Sequence, residues 1–417
     1  MFRGTQFCDR FEYCNFQLDT PIRNPADTQQ QVKTDYKFSI NDRASFYDWY
    51  NGYFLIKFKV DKLADGTAPD NNTVSVISDV TNFLSQLTVR QNGKIVYDCN
   101  NLSLANHVKS LLTFSDGYVN SLGKNSFIYP DNVATTGDNK GFAARAALTN
   151  ARKEVVAEIP LNRFSFFQSL EQNLLPPAQM GITVEINNDN YLLFKAAGAD
   201  DGRVVITHFE LWLPRLKLNS VGLSTVLQNY MKPRRWTYLR ESIHTSSSSQ
   251  SGEGSYRITT GIKHPKHVIV FLQRDGKHND QLQNPLLLDT FKVNAANTNC
   301  TLLTAKLEVG SGIFYPETGY SSTQISRIFR DACNFKPNAS NEYDTGNMLT
   351  LTNFGSLYGL IYFDLTYINE TDSMENAALT LHYRLNIPPA AAYRIYALVL
   401  NEEEVILDTI GNDIVII

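Results

Sequence analysis

Residues 158–218 read EIPLNRFSFFQSLEQNLLPPAQMGITVEINNDNYLLFKAAGADDGRVVITHFELWLPRLKL, and the architecture can be worked outward from them. Ile159, Pro160 and Leu161 lead into an aromatic cluster of Phe164, Phe166 and Phe167, and Pro176-Pro177 closes the short segment that follows. Two alternating, strand-like runs come next, joined by a polar, glycine-containing connection at 196–202. A looser copy lies near the C-terminus: LTLHYRL at 379–385, the turn-prone Asn386-Ile387-Pro388-Pro389, and the long run YRIYALVLNEEEVIL at 393–407. Each passage is strand, turn, long strand. The chain therefore builds one β-unit, ends it with a long strand and builds it again.

A second match supports this duplication. AKLEVGSGIFY at 305–315 can be laid on LTVRQNGKIVY at 87–97, an offset of 218 residues (87 to 305) that aligns Tyr315 with Tyr97. Each is a strand, a glycine-containing turn and a strand ending in Tyr, with a short helix about ten residues later. The second of these helices takes its stripe from Ile325, Ile328 and Phe329.

Composition agrees with an all-β reading. The 417 residues suit two domains, a 43% hydrophobic content supplies a sizeable core, and 24 Phe and 21 Tyr, with many Val, Ile and Thr, favour strands. A net charge of −4 with mixed signs throughout carries no polybasic arm or acidic tail. Five scattered cysteines (Cys8, Cys14, Cys99, Cys300, Cys333), without a Cys-x-x-Cys pair, indicate neither a disulfide framework nor a zinc site. Charged residues interrupt the first sixteen positions where a secretion signal needs an apolar core, and no apolar run reaches the ~20 residues of a membrane span. The expectation is a soluble protein folded in a reducing compartment.

In order, 1–34 read as a polar arm; 35–40 and 53–60 as strands, the latter with Phe54, Ile56, Phe58 and Val60 on one face; and 87–97 as a hairpin about Asn92-Gly93. A helix follows with Ser103 as N-cap and Leu104, Val108, Leu111 and Leu112 as its stripe, and then a long loop region through 117–141. After residue 218, Ser220 caps a helix carrying Leu223, Val226, Leu227 and Tyr230, stopped by Pro233. Strands are expected at 236–243, 256–262, 268–272 (VIVFL) and 286–293. The domain reading is an arm at 1–34, a first sandwich at 35–219, a linker helix at 220–235 and a second sandwich with a C-terminal tail at 236–417.

Strands of this number and spacing fit two tandem jelly-roll β-sandwiches with a few short helices. The run Ile159-Pro160-Leu161 to Phe167, then Leu174-Leu175-Pro176 and Ile182-Thr183-Val184-Glu185-Ile186, resembles the end of the first jelly roll in double jelly-roll major capsid proteins of double-stranded DNA viruses. KHVIVFLQ at 266–273, FYP at 314–316 and YFDLT at 362–366 recur in the order of the same family, in its Polinton, adintovirus and virophage branch. The resemblance covers most of 35–410 through strand patterns. It implies a homotrimer of pseudo-hexagonal outline tiling an icosahedral shell, a separate pentameric protein at the vertices, and no catalysis or cofactor.

Two stretches stand out as candidate contacts. The tail Ile414-Val415-Ile416-Ile417 would dock as a strand or in a groove, on its own subunit or a neighbour, because four exposed aliphatics invite aggregation. Lys232, Arg234 and Arg235 form the one dense basic cluster, read as an import signal, as a weak contact with packaged DNA, or simply as cations after a helix C-terminus. His264 and His267 lack a third metal ligand by spacing, Glu402-Glu403-Glu404 and Asp408 read as a solvated edge, His208 beside Glu210 as surface, and Gly310-Ser311-Gly312 as a turn. The alternative function is a two-sandwich carbohydrate-binding or glycoside-cleaving protein, which requires a polar, aromatic-lined cleft.

Overall fold

The computed structural model describes residues 8–23, 29, 34–70, 72–230, 233–247, 252–294, 297–310, 312–335, 348–366, 377–387, 392–408 and 413–416. Among the described residues, eight strands form the ordered ladders of the two main sheets of the first unit: β1 Cys8–Phe16, β2 Thr34–Ile40, β3 Tyr53–Lys62, β4 Leu84–Gln91, β5 Lys94–Asn100, β6 Val155–Pro160, β7 Met180–Ile186 and β8 Gly202–Leu218. They pair antiparallel in two sheets, ordered β1-β8-β3-β6 and β2-β7-β4-β5. Eight more follow: β9 Arg234–Thr245, β10 Gly252–Ile262, β11 Pro265–Arg274, β12 Leu302–Val309, β13 Ile313–Ser321, β14 Ile361–Asp364, β15 Ala377–Leu385 and β16 Tyr393–Asp408. Their sheets are β9-β16-β11-β14 and β10-β15-β12-β13. Rank for rank, the order is the same in both halves, which makes each a jelly roll and the whole a double jelly roll.

Alternation explains why the strands form where they do. In β3 the side chains of Phe54, Ile56, Phe58 and Val60 are fully buried, each stabilising the fold by roughly 1.5–3 kcal/mol, while Leu55, Lys57 and Lys59 line the other face. In β11 every residue from Val268 to Leu272 is buried, because the strand is covered on both faces. The Asn92-Gly93 turn between β4 and β5 holds both residues at positive φ, 49° and 85°. The residues aligned across the 218-residue offset occupy the same β4–β5 and β12–β13 hairpins, with Leu87 and Val89 matched by Ala305 and Leu307, all buried.

Four local expectations are corrected. The supposed arm carries β1, which pairs with β8 from Cys8 opposite Leu218 to Phe16 opposite Leu211. The helix after the first hairpin, α1 Leu102–Thr113, starts one residue before Ser103 and is capped by Asn101 at φ 52°; Leu104, Val108, Leu111 and Leu112 are all buried, as their spacing predicts. The long loop region holds short helical turns and ends in α2 Lys140–Thr149, whose Phe142 amide donates to Asn139 Oδ1 and whose Lys140 amide donates to Asn132 Oδ1. In α3 Ser220–Tyr230, Val226 is buried but Leu223 is 44% exposed, and Asn219 accepts a hydrogen bond from the Gly222 amide.

The two cores exchange parts. Tyr238, Leu286, Val405 and Leu407 of the second half belong to the first hydrophobic cluster, and Leu104, Ala105, Val108, Leu111 and Leu112 of α1 to the second.

Candidate assembly surfaces

The junction between the rolls is built from α1, from the turn and helix at Leu161–Arg163 and Ser165–Gln168 that follow β6, and from β9. On β9, Leu239, Glu241 and Ile243 share one parity, which places a carboxylate on an apolar face. Glu241 is 1% exposed. Its Oε1 is met by Lys109 Nζ, by Ser165 Oγ at 2.5 Å and by the Ser165 amide at 3.3 Å, and Tyr97 OH donates to Oε2 at 3.1 Å. Burial pushes the Glu241 carboxyl pKa up, but the Lys109 ammonium and the hydrogen bonds outweigh it and the net shift is downward. All four donors come from the first roll. Glu241 thus acts as a polar clasp between the halves.

Other buried polar pairs flank it, within the first half and across the junction. Arg163 forks onto Asp79 at 2.5 and 2.8 Å and also donates to Thr81 and Ser110. Arg145 of α2, fully buried, donates to Asp131 Oδ1 at 2.9 Å and to the carbonyls of Val76 and Tyr129. Asp131 in turn accepts from Asn284 Nδ2 at 2.6 Å, and its carbonyl from Tyr358 OH at 3.1 Å, both in the second half. Gln281 pairs its amide in both directions with the backbone of Gly202, at 2.9 Å each way. Between these groups lies a cavity of about 20 Å³ lined by Asn82, His107 and Leu286, room for one water and for nothing larger.

The sequence candidates fall as follows. Ile414, Val415 and Ile416 lie in β17 Asp413–Ile416, which pairs antiparallel with β16, Ile414 opposite Leu407, Val415 opposite Ile406 and Ile416 opposite Val405; Ile417 lies outside the described residues. The tail is therefore a strand on its own subunit. Lys232 is also outside the described residues; Arg234 is half-buried on β9, and Arg235 is exposed with Nη1 3.4 Å from Glu404 Oε1. The Glu402–Glu404 run meets cations: Lys266 at 3.3 Å, Arg240 at 2.9 Å with Tyr238 OH at 2.8 Å, and Arg235. His264 stands at φ 44° in the turn before β11, while His267 turns inward with Nδ1 2.8 Å from Tyr362 OH, its pKa lowered to about 4 by burial. His208 is half-exposed, 3.7 Å from Glu210. Ser311 is not among the described residues; Gly310 and Gly312 adopt positive φ.

Two features were not singled out from sequence. The outer face of β1 and β8 carries Phe11 and Tyr13, 45% and 55% exposed, beside Trp212 stacked on Tyr53 (interplanar angle 3°). The outer face of β10-β15-β12-β13 carries an open trough of about 710 Å³ edged by Lys306, Arg327, His382 and Arg384. There His382 bonds Glu308 at 2.7 Å, and that bond, before all else, holds the Glu308 carboxyl below its usual pKa. Among the described residues, no three His, Cys, Asp or Glu side chains are placed to hold a metal ion, and no helix is long and apolar enough to cross a membrane.

No protein-family description and no curated protein matches the sequence. Solved structures do. A chain of the Sputnik virophage aligns with a TM-score of 0.65 at 10% identity over 99% of this chain and 89% of that one. The Faustovirus major capsid protein gives 0.59 at 11% over 95% and 90%, and the mavirus major capsid protein 0.55 at 10% over 97% and 90%. The shared feature is the double jelly-roll fold along nearly the full length of each partner.

Proposed function

We propose that this chain is the major capsid protein of a double-stranded DNA virus, assembling as a homotrimeric capsomer of an icosahedral shell. The observation that carries the reading is the doubled strand order, matched end to end in two major capsid proteins at TM-scores of 0.59 and 0.55. The clasped junction supports it, since a rigid two-roll block is what a shell tile requires. In this reading the first roll runs from β1 to residue 219, 220–233 link the halves, and 234–417 form the second roll with its tail. The capsomers meet a separate pentameric protein at the vertices, and Lys232, Arg234 and Arg235 contact packaged DNA or an import receptor. Ile414 to Ile416 close the β16 edge and take part in contacts between copies. The chain itself performs no chemistry.

Light scattering coupled to gel filtration, followed by negative-stain microscopy at raised concentration, tests this. A trimer of 47.1 kDa subunits with hexagonal outline that goes on to form particles is expected. A monomer that stays monomeric at every concentration and salt tried refutes it.

A further inference from the structure

The small cavity at the junction has a hydrogen-bonding polarity of its own. His107 of α1 is 7% exposed, and burial keeps its ring neutral, with a pKa lowered to about 4. Such a ring carries one N–H and one bare lone pair. It bonds the backbone of Leu286 in the second half, whose amide already donates to Asn284 Oδ1 at 3.0 Å, so the Leu286 carbonyl accepts and the ring donates. Among the described residues His107 Nε2 is buried with no protein partner, which puts the proton on Nδ1 and leaves Nε2 an acceptor that lacks a donor. Asn82, 1% exposed, repeats the pattern. Its Nδ2 donates to the Ser78 carbonyl at 3.0 Å, which can only accept, so the orientation of the amide is fixed and Oδ1 is a second buried acceptor with no protein partner. Ser78 offers the complement: its hydroxyl accepts from the Tyr129 amide at 2.9 Å and keeps a hydrogen to donate. All three side chains line the same cavity.

We propose that this cavity is a binding site for one water molecule, which donates to His107 Nε2 and Asn82 Oδ1, accepts from Ser78 Oγ, and thereby fixes the His107 tautomer that ties α1 to the second half. Three hydrogen bonds are the usual complement of an interior water, and the cavity of about 20 Å³ exceeds the ~10–15 Å³ that one requires. Two convergent acceptors call for a ligand with two hydrogens. A cation is a poor occupant, because the carboxylates on the wall, Asp79 and Asp131, are already matched by Arg163 and Arg145. Left unpaired, each acceptor would carry the full cost of its desolvation. The water also decides which ring nitrogen holds the proton: moved to Nε2, it would strip the Leu286 carbonyl of its donor. The site belongs to the folded chain by itself and does not depend on the capsid reading.

A high-resolution map of the full chain, together with nitrogen NMR of histidine-labelled protein, tests the proposal. Expected is a single peak about 2.7–3.2 Å from His107 Nε2, Asn82 Oδ1 and Ser78 Oγ, and a His107 ring protonated on Nδ1. An empty cavity, a peak at the ~2.3–2.6 Å of a metal contact, or a ring protonated on Nε2 overturns it. Asn82→Leu, which places carbon in the site, should abolish the peak, raise the unfolding equilibrium constant about tenfold and bring the Nε2-protonated tautomer into the His107 spectrum. A merely packing role for Asn82 would leave the tautomer unmoved, and a ring that stays wholly Nδ1-protonated in this variant overturns the tautomer control. Should the variant fail to fold, the wild-type map and spectrum decide.

Discussion

Glu241 offers the sharpest test of how the two rolls are joined. Its carboxylate is fully enclosed and meets Lys109, whose side chain is 13% exposed. Replacing Lys109 with Met leaves a buried carboxylate without its cation, and the expected loss is about 3–5 kcal/mol. Replacing Glu241 with Leu is milder. Lys109 keeps the Arg163 carbonyl at 3.2 Å and Ser165 Oγ at 3.4 Å and can reach water, so about 2–4 kcal/mol is expected. The double variant removes both charges and leaves the Tyr97 and Ser165 donors to be re-satisfied, costing about 1–3 kcal/mol. The cycle should then show a coupling of at least ~2 kcal/mol. Urea unfolding followed by circular dichroism and by tryptophan fluorescence measures all four corners. Because the folded pKa of Glu241 is depressed, its contribution is present above the unfolded carboxylate value of about 4.3 and is lost as pH falls through the folded value. The Glu241→Leu deficit should therefore shrink in strong acid. A Lys109→Met variant within ~1 kcal/mol of wild type, with an additive cycle, would refute the clasp.

Other consequences can be checked alongside. His107 and His267 are held neutral by burial with pKa values near 4, so stability present above about pH 6.5 should fall as pH drops towards 4, by up to roughly 3 kcal/mol each; a melting temperature unchanged between pH 7 and 4.5 contradicts this. Deleting residues 413–417 removes four ladder pairs with β16 and bares a strand edge, for an expected loss of roughly 2–4 kcal/mol and increased light scattering on heating. A Cβ on Gly141 would sit 2.2 Å from the Pro130 carbonyl oxygen, so Gly141→Ala should cost at least ~2 kcal/mol in urea melts or fail to fold.

The parts of the fold that obey a local period could be read from the chain. The Phe54 to Val60 alternation, the Asn92-Gly93 turn, the α1 stripe and the two long closing strands each rest on neighbours in sequence. β1 was missed because RFEYCNF alternates without a polar side: its aromatic positions, Phe11 and Tyr13, face outward and its inner positions are only partly buried. α2 was missed although NKGFAARAALT offers an Asn cap and alanines at 143, 144, 146 and 147, because the Arg145 that anchors it looks like a surface residue until Asp131 and the Val76 carbonyl are brought to it. The junction had one visible sign. Leu239, Glu241 and Ile243 fall on one face, and a charge in that row calls for a buried partner, though nothing local says the partner is Lys109, 132 residues away.

The exchange between the cores constrains what a single roll can do alone. A first half cut before β9 would lose Tyr238, Leu286, Val405 and Leu407 from its core and expose the stripe of α1 that fills the second. The second half alone would lack α1 and carry Glu241 without its four donors. Neither half alone buries all of its apolar surface, so the folding unit is the pair, although the strand order of each half is complete. The chain thus holds two rolls that are topologically whole and energetically dependent on each other. What distinguishes the two halves is that Tyr238 on β9 is covered by the other half, whereas Phe11 and Tyr13 on β1 are 45% and 55% exposed.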